Sequence, residues 1–120
     1  MGKSTLLLSV AAESAKQKIT SLYISGEESA PQVRLRAERL KAIDPNLWLA
    51  AESELGAVIA HIDSVKPQLL IIDSIQTFSS GAVDGAPGGI TQVREIAAAL
   101  IRIAKERAIT LILVGHVTKD

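Results

Sequence analysis

The sequence is short of several residue types, and each shortage excludes a class of protein. It has no cysteine, which excludes a disulfide framework and a zinc site built on thiolates within these 120 residues. Only 2% of the residues are aromatic although 48% are apolar, so a core must be built from Leu, Ile, Val and Ala. This aliphatic bias favours buried parallel strands covered by helices on both faces.

Neither sign of charge is in excess, and no long apolar run is present. The 13 basic residues balance the 13 acidic ones, so the chain as a whole does not attract nucleic acid or a membrane surface. Any DNA binding would have to be local, in a loop or in the pore of a ring. No apolar stretch approaches the roughly 18 residues of a membrane-spanning helix. We therefore expect no membrane partner and, because cysteine is missing, a reducing cytoplasmic location.

What the sequence does contain is a regular alternation of helical and strand patterns. The patterns predict helices at 3–18, from a cap at Ser29 to just before Pro45, at 54–65 and at 91–107, and strands at 19–25, 47–51, 68–74 and 109–115. Ser29 and Gln32 form a capping box, and Ser53 is expected to cap the third helix. This order of elements predicts an α/β fold, with helices flanking a parallel sheet joined by right-handed crossovers.

The same patterns predict which side chains lie in the core. Tyr23 and Trp48 fall within strands and are expected to be buried. The strand at 68–74 is a continuous apolar run, as in a strand covered on both faces. The residues at helical spacing on the first and last helices are Leu7, Val10, Ala11 and Ser14, and Val93, Ile96, Ala97, Leu100 and Ala104.

The first residues, Met-Gly-Lys-Ser-Thr, match the end of a phosphate-binding Walker A loop, G-x-x-x-x-G-K-[ST]. Gly2, Lys3 and Ser4 would be its last fixed positions, whereas its first glycine is not in the sequence. Lys3 would reach the β- and γ-phosphates, and Ser4 would ligate Mg²⁺. The start of a helix also favours an anion, because its free N–H groups and its dipole point there. The alternative is a chance tetrapeptide that opens a helix.

Asp73 is conspicuous because it ends the apolar run Leu69–Ile72. Four apolar residues followed by Asp are typical of a Walker B strand, whose carboxylate holds Mg²⁺ directly or through water. The alternative is an aspartate that caps the next turn, Ser-Ile-Gln-Thr-Phe.

Three further residues follow predicted strands, at the edge where open α/β sheets bind ligands. Glu27 could orient and deprotonate the water that attacks a γ-phosphate. Glu28 could share that role, and the alternative for both is a solvated turn near a helix N-terminus. His116 could donate a hydrogen bond as a γ-phosphate sensor, and the alternative is a structural histidine at a strand end. His61, in contrast, is expected at the surface, with no carboxylate near it.

Two regions could contact a partner, one of which, the loop at 79–89, has no basic residue of its own. The loop at 79–89 is rich in glycine and includes Asp84, and Arg94 begins the helix after it. A loop of this length suggests a mobile segment that binds nucleic acid or a partner, or else a disordered tip. Arg34, Arg36 and Arg39 are expected on a solvated helix face, with a subunit or DNA contact as the alternative.

Several of these segments together resemble the RecA-like ATPase core of the bacterial DNA repair family RadA, also called Sms. The resemblance rests on GKSTLLL, LYISGEES, RLRAERL, LLIIDSIQT, APGGITQVRE and LILVGHVTKD. SGEES and GHVTKD separate the sequence from recombinase RecA, the replicative helicase and the circadian clock ATPases. The resemblance implies a RecA-like P-loop NTPase that uses ATP and Mg²⁺. Such a motor forms a homo-hexameric ring on single-stranded or branched DNA and promotes branch migration alongside RecA.

The resemblance also assigns roles to particular residues. It implies that Gly2, Lys3, Ser4 and Thr5 form the phosphate loop, with Lys3 also catalytic and Ser4 on the metal. It further implies Glu27 as the catalytic base, Asp73 as the Walker B metal ligand and His116 as the sensor. Arg94, which follows the loop at 79–89, would be the basic contact to DNA.

The family pattern extends beyond these 120 residues. It includes a four-cysteine zinc module, a Lon-protease-like domain, a first strand carrying the first Walker A glycine, and a KNRFG motif, none of which the sequence contains. Residues 1–120 are therefore expected to be part of a RecA-like domain. The missing strand would normally lie between 68–73 and 109–115. A gap there would leave buried N–H and C=O groups unpaired, at about 1–3 kcal/mol each. The isolated chain is accordingly expected to be poorly stable or oligomeric and to hydrolyse ATP poorly.

Two other functions remain open at this point. The chain could be an inactive remnant that keeps the fold without the chemistry. It could also be a RecA-fold ATPase that acts on protein partners instead of DNA, which the zero net charge allows.

Overall fold

The computed structural model describes residues 2–81 and 89–115, except for the side chains of residues 2–4. The predicted alternation of helices and strands is confirmed. The helices are α1 Gly2–Lys16, α2 Ala30–Arg39, α3 Leu55–Val65 and α4 Ile90–Glu106. The strands are β1 Ser21–Ser25, β2 Leu47–Ala51, β3 Leu69–Asp73 and β4 Thr110–Val114, and a single 3₁₀ turn, Ile75–Thr77, follows β3.

The described strands form one parallel sheet in the order β2-β1-β3-β4. The predicted parallel α/β sheet is therefore confirmed, but the expected gap between 68–73 and 109–115 is wrong. β3 and β4 pair directly, from Leu69 opposite Thr110 to Asp73 opposite Val114. The backbone groups of the two strands bond to each other, so the cost expected for unpaired groups does not arise between them.

The core has one apolar cluster on each face of the sheet. Alternate residues of a strand point to opposite faces, and this periodicity sorts the strand residues between the two clusters. Under α3 and α4 lie Leu22, Ile24, Leu70 and Ile72 with Val58, Ile62, Ile96 and Leu100. Under α1 and α2 lie Tyr23, Leu69 and Ile71 with Leu8, Ala11, Ala12, Val33 and Ala37.

The core prediction for Trp48 is wrong, and Val10 of the apolar pattern on α1 is not buried either. Val10 is 38% exposed, because α1 turns Leu8, Ala11, Ala12 and Ala15 toward the sheet instead. Trp48 is 51% exposed, because β2 is the outermost strand and pairs on one side only. The burial of Tyr23 is confirmed, at 1% exposure.

The helix caps follow local side-chain chemistry. The Ser29 and Gln32 capping box is confirmed in both directions. The expected cap at Ser53 is wrong, because Glu54 is the cap and its side chain accepts from Ala57 N at 3.2 Å. The backbone oxygen of Ser53 instead accepts from Ser79 N at 2.7 Å, which ties the start of α3 to the segment after β3.

Within residues 2–81 and 89–115, no helix combines the length and the apolar character that crossing a membrane requires.

Candidate functional site

The candidate site lies at the site edge, which we define as the carboxyl ends of the four strands with the turns 26–28 and 74–78 that follow β1 and β3. The register sets Ser25 opposite both Ala51 and Asp73, and Asp73 opposite Val114, so the four strands end at one level. Whatever follows each strand is therefore brought to the same place.

Helix α1 begins at this edge. Asn46, just before β2, donates from its side chain to Ala15 O at 3.3 Å, which fixes the end of α1 beside the strand starts. The helix has 15 residues and rises about 1.5 Å per residue. Its beginning, at Gly2, therefore lies toward the strand ends. The N-terminus of α1 and the ends of β1 and β3 form the type of edge at which α/β proteins hold phosphates.

Asp73 is buried at the end of β3, with 2% of its surface exposed. Its Oδ2 accepts a hydrogen bond of 2.6 Å from the hydroxyl of Tyr23. The alternative role of Asp73 as the cap of the next turn fails, because the 3₁₀ turn is capped by Ser74 without a side-chain hydrogen bond. A buried carboxylate at a strand end is a group that a cation can engage.

Glu27 is brought against the residue that follows Asp73. Its Oε2 accepts from Ser74 Oγ at 3.3 Å, and Gly26 N donates to Asp73 O at 2.9 Å. Ser25 Oγ accepts from Glu27 N at 3.2 Å, which fixes the start of the turn. Ser74 was missed from the sequence, although its place directly after an apolar strand and Asp73 is a signal that could have found it.

Gly26 permits this close approach. A Cβ added at Gly26 would lie 2.1 Å from Thr77 Oγ1 and 2.9 Å from Phe78 Cε1. Thr77 is itself held, because its Oγ1 donates to Ser74 O at 2.6 Å. The turn that bears Glu27 and the turn after β3 therefore fit together only if residue 26 has no side chain.

Glu28 is engaged elsewhere. Its carboxylate forms an ion pair with Arg36 of α2, and both side chains are less than one third exposed. Arg34 pairs with Glu38 on the same helix at 3.3 Å. The solvated basic face predicted for α2 thus contains two ion pairs. Of the two adjacent acids, Glu27 is the one that faces β3.

Several predicted site residues lie outside what the structure describes. These are the side chains of Lys3 and Ser4, all of His116, and residues 82–88 with Asp84. Of Gly2 only the backbone is described, in the first turn of α1, and Thr5 is half-buried on the same helix.

The described residues fit a nucleotide with its magnesium ion. No three His, Asp or Glu side chains within the described ranges cluster as a metal site would. Magnesium in nucleotide sites is commonly held by one or two carboxylates together with phosphate oxygens and water, so a single buried carboxylate is enough. Asp73 supplies that carboxylate, and the beginning of α1 supplies the anion-favouring helix end.

Arg94 lies apart from these acids but toward the same edge. It is exposed in the second turn of α4, two residues after the buried Gln92. Gln92 holds both backbone groups of Ser80: its Oε1 accepts from Ser80 N at 3.0 Å, and its Nε2 donates to Ser80 O at 3.3 Å. This pairing fixes the two ends of the predicted loop and was missed from the sequence.

His61 is partly exposed, as expected for a surface or edge residue, but the prediction that no carboxylate lies near it is wrong. Its Nε2 lies 2.9 Å from Glu52 Oε2, so a carboxylate is next to it. The chain reverses direction between β2 and α3, which brings together two residues that are nine positions apart. The hypothesis from spacing alone did not include that reversal of direction.

Comparison with known proteins places the whole chain in one group. A family model described as AAA domain matches residues 1–120. DNA repair protein RadA of Mycolicibacterium smegmatis is 52% identical over all of this chain, which covers 27% of that relative. RadA of Streptococcus pneumoniae is 49% identical over all of this chain, which covers 28% of that relative. The chain thus spans about a quarter of the curated relatives it matches.

Solved structures with the same fold are more distant in sequence. The flagellar accessory protein FlaH of Methanocaldococcus jannaschii superposes with a TM-score of 0.66 at 16% identity, covering 94% of this chain and 55% of FlaH. A KaiC-like protein of Pyrococcus horikoshii gives a TM-score of 0.62 at 16% identity, covering 97% of this chain and 56% of the other. These matches confirm the RecA-like fold predicted from the sequence, and the RadA matches confirm the resemblance.

Proposed function

The chain belongs to the AAA domain family and matches a segment of the DNA repair protein RadA, and on that premise we propose that it binds and hydrolyses ATP as part of a DNA repair protein. The observation that carries the proposal is that the ends of β1 and β3 bring two acids to the same edge of the sheet. Glu27 reaches the residue after Asp73, and both lie at the edge where α1 begins.

In this proposal, phosphate binds at the start of α1. Gly2, Lys3, Ser4 and Thr5 would surround the phosphates, and Ser4 and Asp73 would hold Mg²⁺. When bound, the metal ion neutralises charge on the phosphates. Asp73 suits this role because it is buried and held at the end of a strand, where it loses little freedom when it meets the ion.

Glu27 would act as the general base. It would orient a water molecule toward the γ-phosphate and accept its proton. Two features of the chain hold this carboxylate: Ser74 donates to its Oε2, and Ser25 fixes its backbone N–H. His116 stays a predicted γ-phosphate sensor, and Lys3 a predicted catalytic cation.

ATP binding is tested by thermal unfolding with and without MgATP. A ligand present at about 100 times its Kd stabilises a competent site by about 2.7 kcal/mol. We expect a rise in Tm in the unaltered protein, and little rise after Lys3→Ala, because the lysine charge near the phosphates is lost. If MgATP does not raise the Tm of the unaltered protein, the inactive remnant is the better conclusion.

The work done with ATP is the finer part of the proposal. We propose movement on single-stranded or branched DNA in a homo-hexameric ring, with branch migration alongside the recombinase RecA. The family resemblance supports this, together with the exposed Arg94 beside the loop ends held by Gln92. The zero net charge favours the competing function, an ATPase that acts on protein partners.

The two functions differ in how binding depends on salt. If the substrate is DNA, single-stranded DNA should bind less tightly as the salt concentration rises. Arg94→Ala should weaken this binding, and the slope of the logarithm of the binding constant against the logarithm of the salt concentration should fall by about the amount for one phosphate contact. Arg102→Ala, an exposed arginine two turns further along α4, is the matched control. Equal binding by both variants and the unaltered protein would favour a protein partner.

A further inference from the structure

Tyr23, the chain's only tyrosine, lies within the sheet but is bonded to the candidate site. It occupies the middle of β1, opposite Ile71 of β3, and its ring packs in the cluster under α1 and α2. Its hydroxyl extends past Ile71 to Asp73, two residues further along β3, where the O–O distance to Oδ2 is 2.6 Å. The two residues are 50 positions apart in sequence.

The chemistry of this contact is specific. A phenol O–H that donates to a carboxylate makes a short, charge-assisted hydrogen bond, and such bonds are about twice as strong as neutral ones. Tyr23 is 1% exposed and Asp73 is 2% exposed, so bulk water does not compete for either group. The ring is buried in the cluster under α1 and α2, and the hydroxyl therefore holds the carboxylate in one orientation.

Strand β1 uses alternate residues to hold the two acids of the site. Residues 23 and 25 point to the same face of the sheet, because strand side chains alternate. Tyr23 holds Asp73 through Oδ2, and Ser25 holds the backbone of Glu27. A tyrosine placed only to fill the core would not need a hydroxyl at this position, since phenylalanine has nearly the same volume.

We propose that Tyr23 is a positioning residue for the magnesium ion. By donating to Asp73, it keeps the carboxylate in the orientation in which Asp73 meets the ion. Residues that orient metal-binding carboxylates contribute strongly to affinity, and replacing one typically costs roughly 10- to 100-fold in metal affinity or activity. This inference rests on the proposed function, because it assumes that Asp73 meets the metal ion of a bound nucleotide.

The test uses the natural full-length protein with Tyr23→Phe, which removes only the hydroxyl. Nucleotide binding is measured by calorimetry in the absence of metal and then over a titration of Mn²⁺, which is also followed by electron paramagnetic resonance. We expect the metal to bind roughly tenfold more weakly in Tyr23→Phe. We expect metal-free nucleotide binding to be unchanged, because Asp73, to which the Tyr23 hydroxyl donates, would hold the metal ion and not the phosphates.

Ser21→Ala is the matched control. Ser21 is a fully buried hydroxyl on the same strand, but it donates to Ile19 O at 3.0 Å, at the far end of β1 from the site. Its loss should leave the metal dependence unchanged. If Tyr23→Phe and Ser21→Ala both lower metal-free and metal-dependent binding equally, Tyr23 is merely structural and the proposal is overturned.

A second measurement needs no Tyr23 variant. Metal binding at Asp73 should change the ultraviolet absorption of the tyrosine bonded to it, and this difference spectrum should be absent in Asp73→Asn. A spectrum unchanged by metal in the unaltered protein would contradict the proposal even if Tyr23→Phe did not fold. If the unaltered protein binds no nucleotide at all, the proposed function itself fails. If it binds MgATP normally and Tyr23→Phe does too, only the role of Tyr23 is refuted.

Discussion

At the edge where the strands end, side chains far apart in sequence bond to one another, whereas at the edge where they begin, the backbone mostly closes each turn by itself. The site edge is held by Tyr23 on Asp73 and by Ser74 on Glu27, pairs that are 50 and 47 residues apart. The opposite edge, which we call the closing edge, consists of residues 17–20, 40–46, 66–68 and 107–109. There, backbone N–H groups bond back to the helix just completed, as Ile109 N does to Ala104 O at 2.8 Å.

At the closing edge, all four described helices end in the same way. Each of the four helices is followed within two residues by a residue other than glycine in the left-handed region, with φ between 53° and 67°: Lys18, Lys41, Lys66 and Ala108. Left-handed residues commonly end helices, and glycine is the usual choice there. The difference between the edges teaches that side-chain pairs join the two turns of the site edge, whereas at the closing edge backbone conformation ends each helix and side chains such as Asn46 only add to it. Substitutions should therefore change chemistry at one edge and only stability at the other.

The largest expected effect separates the two adjacent acids of the site edge. Glu27→Gln should lower the ATP hydrolysis rate by roughly 10²- to 10⁴-fold, because the general base is lost. MgATP binding, measured by calorimetry, should be nearly unchanged. Glu28→Gln is the matched control, and it should reduce hydrolysis far less because Glu28 is paired with Arg36. Equal loss in the two variants would show that the acids are not distinguished by their contacts.

Gly26→Ala tests whether the fit between the two site-edge turns is needed. The added methyl group meets Thr77 and Phe78, so the turns must separate, at a cost of about 1–3 kcal/mol in unfolding free energy. Hydrolysis should fall as well, because Glu27 moves with the turn. Gly81→Ala is the control, since a Cβ there meets nothing within 4 Å. Urea unfolding would measure the unfolding free energy of both variants. A Gly26→Ala variant as stable as the unaltered protein would show that the two turns can separate at little cost.

The smallest effect is expected at the closing edge, where the substitution should stabilise the protein instead of destabilising it. Ala108 has φ 55°, and glycine adopts this conformation without the steric cost that a Cβ carries there. Ala108→Gly should stabilise the protein by up to about 1 kcal/mol, the size of effect seen when a residue suits its backbone conformation. ATP hydrolysis should not change. A loss of activity in this variant would show that the two edges are coupled.

The sequence predicted what depends on local pattern. The order of helices and strands, the Ser29 capping box and the apolar strand ending in Asp73 all follow from neighbouring residues. The contact between Tyr23 and Asp73 could not be predicted, because it depends on the register of two strands 50 residues apart.

Other misses have the same origin. The pairing of β3 with β4 and the exposure of Trp48 depend on strand order, which periodicity does not contain. The contact of His61 with Glu52 depends on how the chain reverses direction between β2 and α3. Local structure could therefore be predicted from the sequence, whereas the partner of each side chain depends on the three-dimensional arrangement.

The pairing of Gln92 with Ser80 has a practical consequence for protein engineering. One buried amide holds both backbone groups of Ser80, so residue 80 is bonded directly to the first turn of α4. The entropy cost of closing a loop grows slowly, by about 0.6 kcal/mol for each doubling of its length. An insertion between Gly81 and Gly89 should therefore leave the sheet and both acids in place while it disturbs the proposed DNA contact beside Arg94, so it would separate the stability of the fold from DNA binding.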